Sequence, residues 1–282
     1  MFYHDNELQY EVEVEEPDPT FARALQQAIG GVEGEMRVAN QYLFQAFAVP
    51  SDQQAYKELL LDTAAEELGH IEMLATAVKK NLRDTSVSLG DISSDDATGL
   101  ASIAGMQPRQ YLSGGMNPTA TDANGFPFSG NYVVASGNIA ADMVANVMAE
   151  STGRLLATRL YEMTDDPGMK DMLAYLVARD TMHQNQWLEL LTELGDSEEP
   201  FDVLPIPDSF PDAEENEEFN YAFLSTNVEP TEDPEQPWTT GASPDGEGEF
   251  SYVRQLDLDG APPDVGHAEA ETYNDPTPRD EG

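Results

Sequence analysis

Glu67 and His70 stand three residues apart in the run E-E-L-G-H-I-E. On a helix that spacing puts both side chains on one face, where they grip one cation or straddle two. The helical steps leading away from them reach Leu60, Ala64, Leu74 and Ala77, so the face is otherwise small and apolar. A carboxylate facing inward without a partner is costly, and a metal ion is one of the few ways to keep it ionised. Taken alone, an acid and a histidine at this spacing also describe an ordinary surface hydrogen bond. The weight therefore falls on what accompanies them.

Three further stretches supply companions. Glu35 lies in G-G-V-E-G-E-M, among glycines that let a backbone or a metal come close, and Tyr42 follows two turns later on the same face. Glu33 beside it reads as a surface acid. Glu150 lies in V-M-A-E-S-T-G-R and His183 in A-R-D-T-M-H-Q-N-Q-W. Glu35 and Glu67 are 32 residues apart, Glu150 and His183 are 33 apart, so two helical hairpins would return their polar residues to one height.

A dimetal helical bundle takes one Glu from each of two helices and Glu-x-x-His from each of the other two. Here the second such motif reads Asp180-x-x-His183, with a side chain one methylene shorter, so Asp180 is placed near the metals without ligating them. The expected ligands are Glu35, Glu67, His70, Glu150 and His183. The chain has four histidines, and the remaining two, His4 and His267, fall in terminal arms and read as surface residues. With no cysteine present, any metal must be held by oxygen and imidazole.

The elements that position these residues follow from periodicity. Residues 1–19 form an arm in which L-Q-Y-E-V-E-V-E alternates as a short strand would. Helical spacing runs from Thr20 to about Val49 and stops at Pro50. Ser51 or Asp52 then caps a second helix ending near Leu82. Residues 84–136, rich in Ser, Asp, Gly and Pro, form a long crossover. A third helix spans about Gly137 to Met163 and a fourth about Met169 to Leu194. The expected fold is all-α: a ferritin-like four-helix bundle over 20–195, followed by an extended acidic tail over 196–282. Arg254 and Arg279 are the tail's only basic residues. Its aromatics, among them Phe201, Trp238 and Tyr252, suggest a segment that wraps a neighbouring subunit.

Charge narrows the partners. The 54 acidic residues against 13 basic ones give a net charge of -41, which excludes nucleic acid and points to a salt-rich interior where counterions screen the repulsion. No apolar run is long enough to span a bilayer, and the start M-F-Y-H-D-N-E lacks a signal peptide's basic segment, so a cytoplasmic protein is expected.

On the stretches G-E-M, E-E-L-G-H-I-E, A-E-S-T-G-R and A-R-D-T-M-H-Q-N-Q-W, the chain resembles the non-haem dimanganese catalases over about residues 1–195. The resemblance implies two Mn ions bridged by Glu67, one completed by Glu35 and His70 and the other by Glu150 and His183. It implies that Tyr42 hydrogen-bonds a ligand carboxylate and that Glu67 and Asp180 assist proton movement. In some members a glutamate occupies the place of Asp180. Calcium binding in other members implies a site at Glu58 and Asp62, completed by Ser225, Thr226 and Asn227. The implied substrate is hydrogen peroxide, the implied reaction its disproportionation through Mn(II,II) and Mn(III,III), and the implied assembly a homo-hexamer. The rival is a ferritin-like iron-storage or detoxification protein using the same ligands. A di-iron oxidase would want a further ligating carboxylate at position 180.

Overall fold

The structure, a computed structural model, describes residues 7–83, 113–115, 117–195, 221–224, 239–243 and 248–253. Two compact units divide the chain, Met1–Ala213 and Glu214–Gly282.

The arm that alternates like a strand is extended but, among the described residues, pairs with no other strand. Val12 and Val14 are buried while Glu11, Glu13 and Glu15 are exposed, so the period-two pattern reports burial of one face. Its backbone polar groups find side chains instead of a ladder. Lys80 Nζ donates to the Val12 carbonyl and Arg83 Nη2 to the Val14 carbonyl at 3.3 Å. The N–H groups of Glu15 and Glu16 donate to Asp166 Oδ2 at 2.8 and 3.1 Å. Tyr10 stacks on Tyr175 with ring centroids 4.5 Å apart.

The helical pattern from Thr20 to Val49 is two helices, α1 (Pro19–Gly30) and α2 (Glu35–Ala48). Asp18 caps α1, accepting from Thr20 N and Phe21 N, with Pro19 at the first helical position. The break lies in G-G-V-E-G and has a steric reason. A Cβ at Gly30 would stand 2.4 Å from the Thr121 carbonyl oxygen, and one at Gly34 2.6 Å from that of Ala28. The glycines admit neighbouring backbone, which lets the chain turn and start α2 at Glu35.

The third helix, α3 (Gln54–Asn81), starts after Gln53. The turn residues Ser51 and Asp52 precede it and do not cap it. Lys79 and Lys80 occupy its last turn, where positive charge suits the helix dipole. Helix α4 (Ile139–Met163) is capped by Asn138, which accepts from Ala141 N at 2.9 Å, and α5 (Pro167–Gly195) follows Asp166. Helices α2 and α3 pack as one hairpin and α4 and α5 as the other, while α1 lies chiefly against α3.

Three buried amides tie the hairpins together. Gln41 Nε2 donates to Asn146 Oδ1 at 2.7 Å, Asn146 Nδ2 donates to Gln45 Oε1 at 2.8 Å, and Gln45 Nε2 also reaches the Val134 carbonyl at 2.9 Å. The Val134 N–H returns a bond to Gln41 Oε1 at 3.1 Å, so the segment leading into α4 is held by the same network. Of the crossover over 84–136, residues 84–112 and 116 lie outside the described residues. The rest includes a bridge between Thr121 and Pro127 and a 3-10 turn at Gly130–Tyr132. Gln26 fastens it to α1 by donating to the carbonyls of Thr119 and Thr121 at 2.7 and 2.8 Å.

The expectation of an all-α chain needs correction in the second unit. There β3 (Glu249–Val253) pairs in parallel with β1 (Ala222–Leu224) and antiparallel with β2 (Gly241–Ala242). Phe223 and Tyr252, paired in register, stack at 5.8 Å, which accounts for two of the tail's aromatics within its own unit. Phe201, Phe210, Phe219 and Trp238 lie outside the described residues, as does all of 196–282 except 221–224, 239–243 and 248–253.

The helical unit has two apolar clusters. One gathers Phe21, Leu25, Met73, Leu74, Leu160 and Leu173, the other Tyr42, Leu60, Met143, Trp187, Leu190 and Leu191. Along α3 the first cluster lies C-terminal of His70 and the second N-terminal of Glu67. Along α5 the order is reversed around Asp180 and His183, as antiparallel packing requires. A polar layer is thereby sealed between two apolar ones. Among the described residues no helix is long and apolar enough to cross a membrane.

Asp166 joins two functions: its Oδ1 accepts from Met169 N at 3.0 Å at the start of α5, and its Oδ2 holds the arm. Burial opposes ionisation of this carboxyl, but the backbone N–H groups outweigh it and hold its pKa below the usual range. Its contribution is therefore present above the unfolded value near ~3.9 and is lost as pH falls through the folded one. Asp166→Ala should lower stability by about 1 kcal/mol through the lost cap and speed proteolysis within 7–18. Thermal unfolding at neutral and acidic pH checks this, since the difference between variant and parent should shrink at low pH.

Candidate metal centre

Helices α2, α3, α4 and α5 each send a polar side chain into the sealed layer. Among the described residues two groups of ligand atoms converge, Glu35 with Glu67 and His70, and Glu67 with Glu150 and His183; within each, all ligand atoms lie within 4.8 Å of one another. Glu67 is common to both. All five residues expected as ligands are thus brought together, with Glu67 and His70 fully buried, His183 and Glu150 nearly so, and the Glu35 side chain 13% exposed.

The geometry is that of atoms converging on something between them. Glu67 Oε2 lies 2.7 Å from His70 Nδ1 and Glu67 Oε1 2.8 Å from His183 Nδ1, so one carboxylate spans the two imidazoles. The second contact lacks the alignment of a hydrogen bond, leaving Glu67 Oε1 and both His183 nitrogens buried without a hydrogen-bond partner. His183 Nδ1 is also 3.7 Å from Glu150 Oε1, and His70 Nδ1 is 4.0 Å from Glu35 Oε2. The rings are nearly parallel, 5.9 Å apart. Three carboxylates and two imidazoles with orphaned lone pairs fit divalent cations of intermediate hardness, Mn among them.

Electrostatics agrees. Burial raises the pKa values of Glu35 and Glu150, and the charge of Glu67 raises them further. Burial also opposes ionisation of Glu67, but His70 and His183 outweigh it and bring it down to about 2. For the histidines burial opposes protonation, yet Glu67 and Glu66 raise both to about 10. Without a cation, protons take the place of positive charge in this layer.

Tyr42 is buried and its hydroxyl donates to Glu150 Oε1, while Trp187 Nε1 lies 3.5 Å from the same oxygen. Burial and then Glu150 push the Tyr42 pKa well up, which keeps the hydroxyl a donor. Asp180 is buried but belongs to neither converging group. Together with Glu33, Glu35, Glu150 and Gly153 it lines a cavity in which the centre of a water-sized sphere can range over about 10 Å³, about the space of one water. Burial, followed by the charge of Glu67, raises the Asp180 pKa to about 7.

Three participants escaped the sequence reading. Glu66 and Arg179 pair at 2.6 Å beside the histidines, and Trp187 supports Glu150. Glu66 is four residues before His70 and Trp187 four after His183, so helical spacing alone would have flagged both. Conversely, Glu58 and Asp62 are exposed on α3, with Glu58 taking a bond from Gln54, and they join no converging group. Ser225, Thr226 and Asn227 lie outside the described residues.

A helical bundle with this buried carboxylate and histidine layer is of the ferritin-like kind that could hold metal ions. The family model for manganese containing catalase matches residues 1–280, and the chain belongs to that family. It is 43% identical over 265 residues to a manganese catalase of Bacillus subtilis, covering 94% of each chain. A manganese catalase of Bacillus subtilis strain 168 is 42% identical over 274 residues, covering 97% of this chain and 98% of that one. Among solved structures, wild-type KatB, a manganese catalase from Anabaena, superposes with a TM-score of 0.71 at 26% identity, covering 91% of this chain and all of that one.

A metal needs neutral imidazoles, so cation binding must displace the protons that the carboxylates hold on His70 and His183. The affinity of metal-free protein for Mn(II) should therefore rise with pH up to about 10, where both imidazoles lose their extra proton, measured by competition with a chelator. A flat profile would remove the histidines from the ligand set.

Proposed function

We propose that this chain is a manganese catalase that converts two hydrogen peroxide molecules to two waters and one dioxygen. The observation that carries this reading is the shared, buried carboxylate of Glu67, standing between two buried histidines. Glu35 and His70 would hold one Mn ion, Glu150 and His183 the other, and Glu67 both. When bound, the pair supplies the two-electron redox capacity, between Mn(II,II) and Mn(III,III), that disproportionation needs without an outside reductant.

The chain's own residues do the rest. Tyr42 fixes the Glu150 carboxylate by its hydroxyl bond. The cavity beside Glu35, Glu150 and Asp180 places a small polar space next to the ligand candidates, which supports a small substrate such as peroxide. Asp180 on its wall would accept a proton from the peroxide that is oxidised to dioxygen and deliver it to the peroxide that is reduced to water, a role for which a carboxyl titrating near neutrality is suited. Its position outside the two ligand groups supports this assignment. In this reading the enzyme is cytoplasmic and a homo-oligomer, with the hexamer implied by the family resemblance.

The test is oxygen release from hydrogen peroxide by purified protein, paired with elemental analysis for Mn and Fe. Oxygen release with about two Mn per chain is the expected result, whereas bound iron without oxygen release would return the ferritin-like storage reading. Glu67→Ala should abolish both metal pairing and turnover. Asp180→Asn should retain Mn and lose about 10²- to 10⁴-fold in turnover; unaltered turnover would remove Asp180 from proton transfer.

A further inference from the structure

The two imidazoles have outer edges as well as inner ones. Their Nδ1 atoms face Glu67, and their Nε2 atoms face a second carboxylate, that of the preceding residue. Glu66 Oε2 lies 3.2 Å from His183 Nε2 and Glu66 Oε1 lies 3.6 Å from His70 Nε2, charge contacts that fall short of hydrogen-bond geometry. Consecutive glutamates thus bracket the histidine pair, one at each edge. Glu66 is itself gripped by Arg179 on α5, whose Nε reaches Oε1 at 2.6 Å and whose Nη2 reaches Oε2 at 3.3 Å, a two-pronged guanidinium clamp. The clamp fixes the plane of the carboxylate. The Glu66 side chain is 25% exposed, at the boundary between the sealed layer and solvent.

We propose that Glu66, held by Arg179, is a positioning residue that orients His70 and His183 together, presenting both Nδ1 atoms to the ligand carboxylates. A carboxylate behind a ligating imidazole keeps the proton on the outer nitrogen and fixes the ring's rotation. Here one carboxylate serves two rings on two helices, and a cation from α5 fixes it. The consequence is coupling: loosening Glu66 frees both halves of the centre, whereas loosening Tyr42, which touches Glu150, disturbs one. This inference rests on the metal reading above.

The experiment compares Mn(II) uptake by full-length metal-free wild type, Glu66→Gln and Arg179→Lys, using chelator competition and the electron paramagnetic resonance of the loaded protein. Glu66→Gln should weaken both binding steps together by about 10- to 100-fold and replace the signal of coupled Mn(II) pairs with that of isolated ions. Arg179→Lys keeps the charge, loses the fork and should fall between the two. Should Glu66→Gln fail to fold by circular dichroism, Arg179→Lys alone decides, because its side chain is a third exposed and its charge is retained. Wild-type Mn uptake with unaltered affinity and signal in the folded variants would overturn this inference and leave the catalase reading standing. Wild type that takes up no Mn would overturn both.

Discussion

Burying three carboxylates and two imidazoles in one layer is the constraint on which the rest of this structure depends. Like charges at this density repel in a low-dielectric interior, and the cost is met by cations or, in their absence, by protons. The lowered pKa of Glu67 beside the raised values of Glu35, Glu150 and both histidines is the signature of that balance. Apolar clusters close the layer above and below, so the same burial that makes the site costly also makes its electrostatics strong.

The architecture around the layer serves to hold four helices at one height. The amides of Gln41, Gln45 and Asn146 tie the hairpins together and seize the segment entering α4. Gln26 holds the crossover to α1, and Asp166 holds both the arm and the start of α5. Each is a case of a loop whose backbone groups are satisfied by side chains from helices, which lets irregular chain pack closely over a bundle. Carboxylates thus have three distinct settings within one unit: ligand candidates at Glu35, Glu67 and Glu150, an arginine-held acid at Glu66, and a structural acceptor at Asp166.

Where the sequence misled, the cause is that periodicity reports burial and not hydrogen bonding. Val12 and Val14 alternate with acids as in a strand, but the partner surface is helical and offers side-chain donors instead of a neighbouring ladder. The apolar period of Thr20–Val49 continues across G-G-V-E-G because α1 and α2 both bury a face, although the chain turns between them. The paired strands of the second unit were hidden because strands of two to five residues carry too few alternations to stand out.

By itself the sequence determined the types of the candidate ligands, their order and their height. Glu-x-x-His on one helix, near-equal spacings in the two halves and the lack of cysteine are local facts that helical geometry converts directly into a shared layer. Only the tertiary structure decided which atoms face which: that Glu67 spans both histidines at their inner edges, that Glu66 and Arg179 stand behind them, and that Asp180 lines the cavity outside the ligand groups. The reason is that spacing along a helix specifies a face, while the contacts across faces depend on how α3 and α5 pack, which no single helix encodes.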